Sequence, residues 1–593
     1  MSKWMVAAKR ADFNAISAKY NISPVLARII RNRDVVEDKD IQKFLYGTRK
    51  DMYSPYMLKD MTKAVDILMN KISQGKHIRI IGDYDIDGIC STYILYKGLS
   101  SCGANVDTAI PHRIKDGYGL NDNLIQEAYD AGADTILTCD NGIAAFSQIE
   151  FAKTLGMTVI VTDHHEVPYE EDENGRHYNV PMAAAVIDPK QEDCEYPFPE
   201  ICGAVVAYKL ILALVSKMEN TTWESVMESE LGLELLEMSA FATIGDVMEL
   251  KDENRIIVKN GLELMANTRN LGLKALMDVN SIEPANVKPY TIGFVLGPCL
   301  NATGRLDTAL NALELFKTKS MDEAAMLAGD LKAMNDSRKE LTLKGVEEAV
   351  YKIENTDIKN DKVIVVYLPD VHESLAGIIA GRIREKYTKP TFVLTRAEDG
   401  VKGSGRSIDA FHMYDEMTKC KELFTKYGGH KLAAGLSLEE KNVDILRKTL
   451  NANCNLTEED FVEKVLIDVP MPMDYVSFDF IDELDILEPF GNGNPKPQFA
   501  QKNIVFKSGR ILGANKNVAK YSVENESGKK FEMIYFGDIE ALNEYMISKF
   551  GQNRVENLYR GYGDSIQLSV VYYPDINEYK GNTSIQMVMK YYQ

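Results

Sequence analysis

The stretch HIRIIGDYDIDGIC, His77 to Cys90, decides how the chain is read. Ile78, Arg79, Ile80 and Ile81 form a short, mostly apolar run of the kind that makes a buried strand. Gly82 breaks it, and Asp83, Asp85 and Asp87 then follow at every second position. Gly88 relieves the backbone, and Ser91 to Leu99 resumes with helical character. Three carboxylates this close at a strand end repel one another unless cations neutralise them. A strand holding Asp85 and Asp87 at the rim of a sheet presents a negatively charged cup suited to divalent metal. An isolated Asp-x-Asp is more often a solvated acidic turn, so the flanking sequence has to decide.

Downstream, strand-like and helix-like segments alternate. Asn105 to Ile110 reads as a strand, Asn121 to Ala131 as a helix, and Thr135 to Cys139 as a strand ending at Asp140. Ala144 to Leu155 reads as a helix, Met157 to Thr162 as a strand ending at Asp163, and Ala183 to Ile187 as a strand ending at Asp188. This alternation predicts a parallel sheet with helices on both faces. Ligands of such sheets sit beyond the carboxyl ends of the strands. Every strand except Asn105 to Ile110 delivers an aspartate to that edge. In TVIVTDHHEVP, Asp163 is followed at once by His164 and His165. A lone buried histidine is usually a core residue, but two adjacent ones facing carboxylates favour metal ligation. FATIGDVMEL places Asp246 after another apolar segment. Carboxylates with one imidazole suit Mn²⁺ better than Mg²⁺, because imidazole is the softer ligand.

With 593 residues the chain is too long for one core, and three or more domains are expected. Its 45% hydrophobic and 26% charged residues are ordinary for globular material. No apolar run is long enough to span a membrane. The opening MSKWMVAAKRADF carries charges where a signal peptide needs an apolar core. Eight cysteines without a CxxC pair predict neither disulfides nor a zinc site, and fit a reducing cytoplasm. A net charge of −20 argues against nonspecific coating of nucleic acid. The charge is uneven, however. Arg382 to Lys431 carries a net +4, whereas Glu458 to Glu488 holds 11 acidic residues against Lys464 alone. A basic patch within an acidic chain leaves room for a local nucleic-acid channel.

GDYDIDG, TCDNG, TDHH and TIGDVMEL, in this order, resemble the motifs of the DHH phosphoesterase superfamily. GPCLNATGRLDTA, VHESLAGIIAGRI, GSGRS, YGGHKLAAG and LEPFGNGNPKPQF narrow the resemblance to the RecJ family of single-strand-specific 5′-to-3′ exonucleases. The resemblance runs from about Lys76 to the end. It implies two ions, Mn²⁺ or Mg²⁺, held by Asp85, Asp87, Asp140, His164 and Asp246, with Asp140 bridging and Asp83 as a weaker ligand. His165 would face the scissile phosphate. Asp188 lies where such sequences often have Asn and is left out of the site. Single-stranded DNA is the implied substrate, with a single-strand-binding protein and a helicase as partners in repair and recombination. No GxSxG or cysteine–histidine arrangement offers a side-chain nucleophile.

Arg113, in the Gly-rich loop HRIKDGYGL, and Arg305, in GPCLNATGRL, are candidate phosphate contacts. RecJ-like sequences commonly have Arg where Cys299 stands. Met321 to Glu354 reads as one or two connecting helices, with Gly329 or Gly345 marking any break. A second α/β unit starts at KVIVVYLPD, with His372 at a helix start. The glycines beside Arg406, Ser407 and His430 let backbone approach a phosphate closely. The resemblance makes this the DHHA1 domain and sets Arg406 and Ser407 near the 5′-phosphate. From about Glu463 the composition changes to short β-like pieces with glycine turns, which suit an OB-fold. Tyr521 and Phe536 are candidate base-stacking aromatics, although core is the commoner role. The expected architecture is therefore α/β: a helical segment 1–55, a DHH domain 56–316, a connecting helix 317–356, a DHHA1 domain 357–457 and an OB-fold-like domain 458–593. Alternatives are a nano-RNase or cyclic-dinucleotide phosphodiesterase, which the tail disfavours, and a non-catalytic strand-binding scaffold, which the full ligand set disfavours.

Overall fold

Five runs rich in Ile, Val, Leu and Thr pair side by side because each can bury both of its faces. They are Asn105–Ala109, His77–Ile81, Thr135–Cys139, Thr158–Thr162 and Ala185–Ile187, in that order across the sheet. All four pairings are parallel, with Ile78 opposite Thr135, Thr135 opposite Thr158 and Ile160 opposite Ala185. Parallel pairing brings every carboxyl end to one edge, so the aspartates that follow them gather there. The computed structural model describes residues 2–593 except 113–116, 118, 174, 307–308, 398–399, 514–515, 563–565 and 580, and not the side chains of 303, 305, 306 and 579.

Two buried helices back the loaded edge. Ile86–Ser101 follows directly from the acidic loop, and Gly203–Met218 is buried along nearly its whole length. Glycines set the loop geometry. A Cβ on Gly82 would lie 2.0 Å from Thr92 Oγ1, and one on Gly88 would lie 2.4 Å from the carbonyl oxygen of Asp83. No other residue fits either position without moving backbone or core.

Met321–Glu354 is one unbroken helix of 34 residues. Gly345 does not break it; a Cβ there would come within 2.5 Å of Ile379 Cδ1, so the glycine permits close packing on the Ala376–Tyr387 helix. The helix leads into a second five-stranded sheet. Its order is Phe424–Gly429, Ala433–Leu438, Gly400–Arg406, Thr391–Ala397 and Ile364–Tyr367, and only the last pair is parallel.

The chain divides into two compact units: Arg49–Met248 with Ile256–Val462, and Met1–Thr48 with Glu249–Arg255 and Glu463–Gln593. In the second unit, Phe499–Leu512, Val518–Glu524, Lys530–Tyr535, Asn582–Tyr592 and Ile566–Tyr579 pair in sequence, and the last returns to the first, closing a five-stranded barrel. This is the expected OB-type closure. Helices Ile539–Phe550 and Gln552–Tyr559 accompany it.

Sequence patterning missed some of this. The N-terminal segment, expected to be helical, starts with a strand, Lys3–Val6, which pairs in parallel with Lys464–Ile467. Its helices share a core with the barrel, where Leu26, Ile29 and Ile30 join the cluster containing Phe499 and Phe506. The exposed hairpin Tyr169–Asp172 and Gly175–Tyr178 was also not read. Such distant pairings leave no periodic signal.

Candidate metal centre

The loop after the first strand turns its carboxylates toward helix ends that can hold them. Asp85 caps the Ile86–Ser101 helix, its Oδ1 accepting from the backbone N of Asp87 at 3.0 Å and of Gly88 at 3.1 Å. Asp87 is fully buried and accepts from the N of Gly203 at 2.7 Å and of Ala204 at 2.8 Å, in the first turn of the Gly203–Met218 helix. Two helix N-termini thus stabilise these negative charges. Gly203 is required by space, since a Cβ there would lie 2.8 Å from Asp140 Cβ. Asp140 follows its strand with φ +58°, a left-handed conformation that Asp tolerates. Asp246 caps the helix Glu230–Gly245, and Val247 after it has φ +59°, which strains a β-branched residue.

His164 draws the set together. Its Nε2 lies 3.1 Å from Asp140 Oδ1, 3.5 Å from Asp87 Oδ2 and 3.9 Å from Asp246 Oδ2. Three groups of ligand atoms each fall within 4.8 Å: Asp87, His164 and Asp246; Asp140, His164 and His165; Asp83, Asp85 and Asp140. Asp140 and His164 each belong to two groups, so the groups adjoin. Every residue expected to ligate metal is therefore here. Asp188 belongs to none of the three; its Oδ1 accepts from the N of Lys190.

Asp163 was passed over as a site residue. Its Oδ1 lies 2.7 Å from His165 Nδ1 and accepts from the N of His164 and His165, while Oδ2 accepts from the N of Ile143 at 2.9 Å. It orients the His165 imidazole and holds the His164 backbone instead of facing the cup, and only its place before the two histidines hinted at this. Asn141 is a second such residue, its amide donating to the carbonyls of Ile81 and Cys139 and so tying two strand ends.

The electrostatics of the cup are unbalanced. Burial, then the Asp85 charge, pushes Asp83 up to about 8. Burial, then Asp87 and Asp85, pushes Asp246 up to about 8 and Asp140 well above the carboxylate range. Asp85 is raised by burial and Asp87. Burial lowers His164; it also opposes the charge on His165, but the Asp163 hydrogen bond outweighs it and raises His165 to about 9. The buried cations among the described residues, Arg33, Lys209 and Arg255, all have partners elsewhere: Asp468, the Tyr53 carbonyl, and the carbonyls of Phe44, Ile486 and Leu487. Asp83 Oδ1 is buried with no hydrogen-bond partner among the described residues. A cup of oxygens and one imidazole, short of positive charge, fits hard divalent cations.

The first unit also contains a cleft of about 940 Å³ lined by Tyr84, Ser374, Lys402, Ser404 and Lys426. Tyr84 stands between Asp83 and Asp85, so this cleft opens beside the cup. Of the expected substrate contacts, Arg113 lies outside the described residues, as does the side chain of Arg305. His372 shares a 2.7 Å hydrogen bond between its Nδ1 and Ser374 Oγ, on the cleft wall. Arg406 is on the strand Gly400–Arg406 and occupies the space that a Cβ on Gly377 would fill. His430 is exposed, its Nδ1 accepting from the N of Leu432. Ser407 is buried and its hydroxyl donates to the carbonyl of Phe411 at 2.7 Å, which commits it to the fold. Tyr521 is core at 1% exposure, whereas Phe536 is exposed.

Residues 77–240 match the DHH family N-terminal domain, 360–456 the DHHA1 domain, and 467–591 the RecJ OB domain. Over 593 residues the chain is 33% identical to the single-stranded-DNA-specific exonuclease RecJ of Bacillus subtilis, spanning 99% of this chain and 70% of that protein. The chain belongs to the RecJ family. The Escherichia coli RecJ is 32% identical over 96% of this chain and 95% of its own. The RecJ fold recurs in the crystal structure of Thermus thermophilus RecJ in complex with Mn²⁺, which matches with a TM-score of 0.79 at 24% identity over 100% of this chain and 79% of that one. A crystal structure of exonuclease RecJ bound to manganese matches with a TM-score of 0.57 at 30% identity over 68% of this chain and 96% of that one. Like other RecJ-family proteins, this chain is a hydrolytic nuclease. Among its described residues no helix is long and apolar enough to cross a membrane.

Proposed function

We propose that this protein is a two-metal exonuclease that degrades single-stranded DNA from the 5′ end to mononucleotides. The observation that carries the reading is the buried, cation-poor cup in which Asp140 and His164 join adjoining ligand groups. Asp83, Asp85, Asp87, Asp140, His164 and Asp246 would hold the ions, Mn²⁺ or Mg²⁺. Such a pair supplies a more acidic water and charge compensation at the reacting phosphorus. The residues of the chain do the rest. The amides of Gly203 and Ala204 fix Asp87, and those of Asp87 and Gly88 fix Asp85, so neither carboxylate must reorganise during the reaction. Asp163 holds His165 by Nδ1 and keeps it cationic, so the imidazolium would face a phosphate oxygen. His372, Arg406 and His430 would take the strand's phosphates along the cleft. A cleft between two domains admits one strand and rejects a duplex by width, without reading bases. The boundaries 56–316, 317–356, 357–457 and 458–593 for its parts, and a single-strand-binding protein and a helicase as partners, belong to the same proposal.

The test is digestion of 5′-labelled and 3′-labelled strands and duplexes with Mn²⁺. Mononucleotides released from the 5′ end of single strands alone are expected. Equal cutting of both forms, or full activity in Asp140→Asn, would refute the proposal.

A further inference from the structure

Tyr290 and Phe294 are 69% and 67% exposed, yet their rings stack on each other, with centroids 4.8 Å apart and planes 25° from parallel. They share one helical run, Pro289–Thr291, then the π-helical Ile292–Leu296, then Gly297–Leu306. A π-helical turn is rare and often marks a functional site. Ile292 and Leu296 are wholly buried, and this turns the two aromatics outward. Tyr290, Phe294, Pro298 and Asn301 follow one another along one line of the run, the first two exposed and the last two half-buried.

That line leads to the metal centre. Asn301 Oδ1 accepts from the N of Ile86, the residue between Asp85 and Asp87, and a Cβ on Gly297 would lie 3.1 Å from Ile86 Cδ1. From Phe294 to Asn301 the axial advance is roughly 10 Å, about the length of three stacked bases. A cation is tied to the buried side of the same run. Cys299, on the same run, accepts from Asn335 Nδ2 at 3.4 Å, and Asn335 Oδ1 accepts from Nε and Nη2 of Arg338. Arg338 is half-buried and has no carboxylate partner among the described residues. Open flat π faces on a run that reaches the acidic loop are the chemistry that holds single-stranded nucleic acid irrespective of sequence.

We propose that Tyr290 and Phe294 form a base-stacking platform that grips the single strand a few nucleotides from the cut. The platform rests on the nuclease reading above and extends it to the grip on longer strands. The full-length protein with Tyr290→Ala and Phe294→Ala together is compared with wild type on 5′-phosphorylated dithymidylate and dodecathymidylate with Mn²⁺. In wild type, KM for the longer strand is the lower of the two; in the double variant that ratio falls roughly tenfold, and Phe294→Trp alone keeps it. In metal-free buffer, 2-aminopurine at the third to fifth nucleotide of a bound oligonucleotide is quenched by wild type and not by the variant. An unchanged KM ratio with unchanged quenching overturns the proposal, as does a variant that alters only the oligomeric state, which would make the rings a protein contact. Should the double variant unfold, Phe294→Leu keeps the apolar bulk without the π face and is read in the same two assays. If wild type cuts no strand at all, the nuclease reading fails, while 2-aminopurine quenching still decides the stacking.

Discussion

Among the places where this molecule buries charge, two do so in opposite ways. In the barrel-containing unit, Arg33 and Asp468 are 7% and 4% exposed and fully matched. Arg33 Nη1 reaches Asp468 Oδ1 at 2.5 Å, Nη2 donates to the carbonyl of Pro495 at 2.7 Å, and Asp468 Oδ2 also accepts from the N of Gln498. At the rim of the parallel sheet, five carboxylates and His164 converge with no buried cation among them. Buried charge with its partners present holds a fold together; buried charge lacking them is a site waiting for a ligand.

The contrast can be broken experimentally. The largest expected effect is on the unbalanced side. Asp140→Asn should lower exonuclease turnover by at least ~10³-fold, since several kcal/mol of transition-state stabilisation depend on the cations it would help hold. In metal-free buffer the same variant should unfold at a higher temperature than wild type, because the cost of burying or protonating that carboxyl is gone. If it unfolds at a lower temperature instead, the cup was balanced and the comparison fails.

On the matched side, Arg33→Ala should cost about 3–5 kcal/mol in denaturant unfolding, because Asp468 is left buried alone. Replacing both, Arg33→Met with Asp468→Leu, should cost less than that single change. A double loss equal to the sum of the two single losses would show that the pair does not couple. Adding Mn²⁺ at a hundred times its dissociation constant should stabilise wild type by about 2.7 kcal/mol, reversed by chelation and diminished in Asp140→Asn; calorimetry with and without metal measures it.

At neutral pH the smallest effect lies at a third buried group, whose contribution has mostly gone by then. Burial raises Glu237 to about 7, so the folded state keeps it protonated where the unfolded chain, with a pKa near 4.5, does not. Its contribution is most favourable below pH 4.5, declines as pH rises toward 7, and is constant above. Glu237→Gln should remove that decline, roughly 3 kcal/mol; parallel pH slopes for the two proteins would contradict it.

Much of the site was legible because strand runs and their terminal aspartates are local features. His77–Ile81 and Thr135–Cys139 appear within a residue of where patterning places them, and each proposed ligand sits at the end of an apolar segment. Asp163 escaped because ligand and orienting carboxylate look alike in one dimension; only the direction of its hydrogen bonds to His165 and Ile143 separates them. Tyr521 and Phe536 illustrate the same limit, one core and one exposed from similar surroundings in sequence.

The amino-acid order alone determined the alternating strands and helices, the delivery of carboxylates to one edge and the family to which the chain belongs. All three depend on neighbours a few residues apart, where side-chain period and turn chemistry act directly. Only the tertiary structure decided that amides of Gly203 and Ala204 secure Asp87, that Lys3–Val6 joins Lys464–Ile467, and that Tyr290 and Phe294 stack in the open. The first two contacts cross roughly 115 to 460 positions, and the exposure of the local aromatic pair depends on which neighbours stay away; both follow from which surfaces exclude water together, and no local pattern encodes that choice.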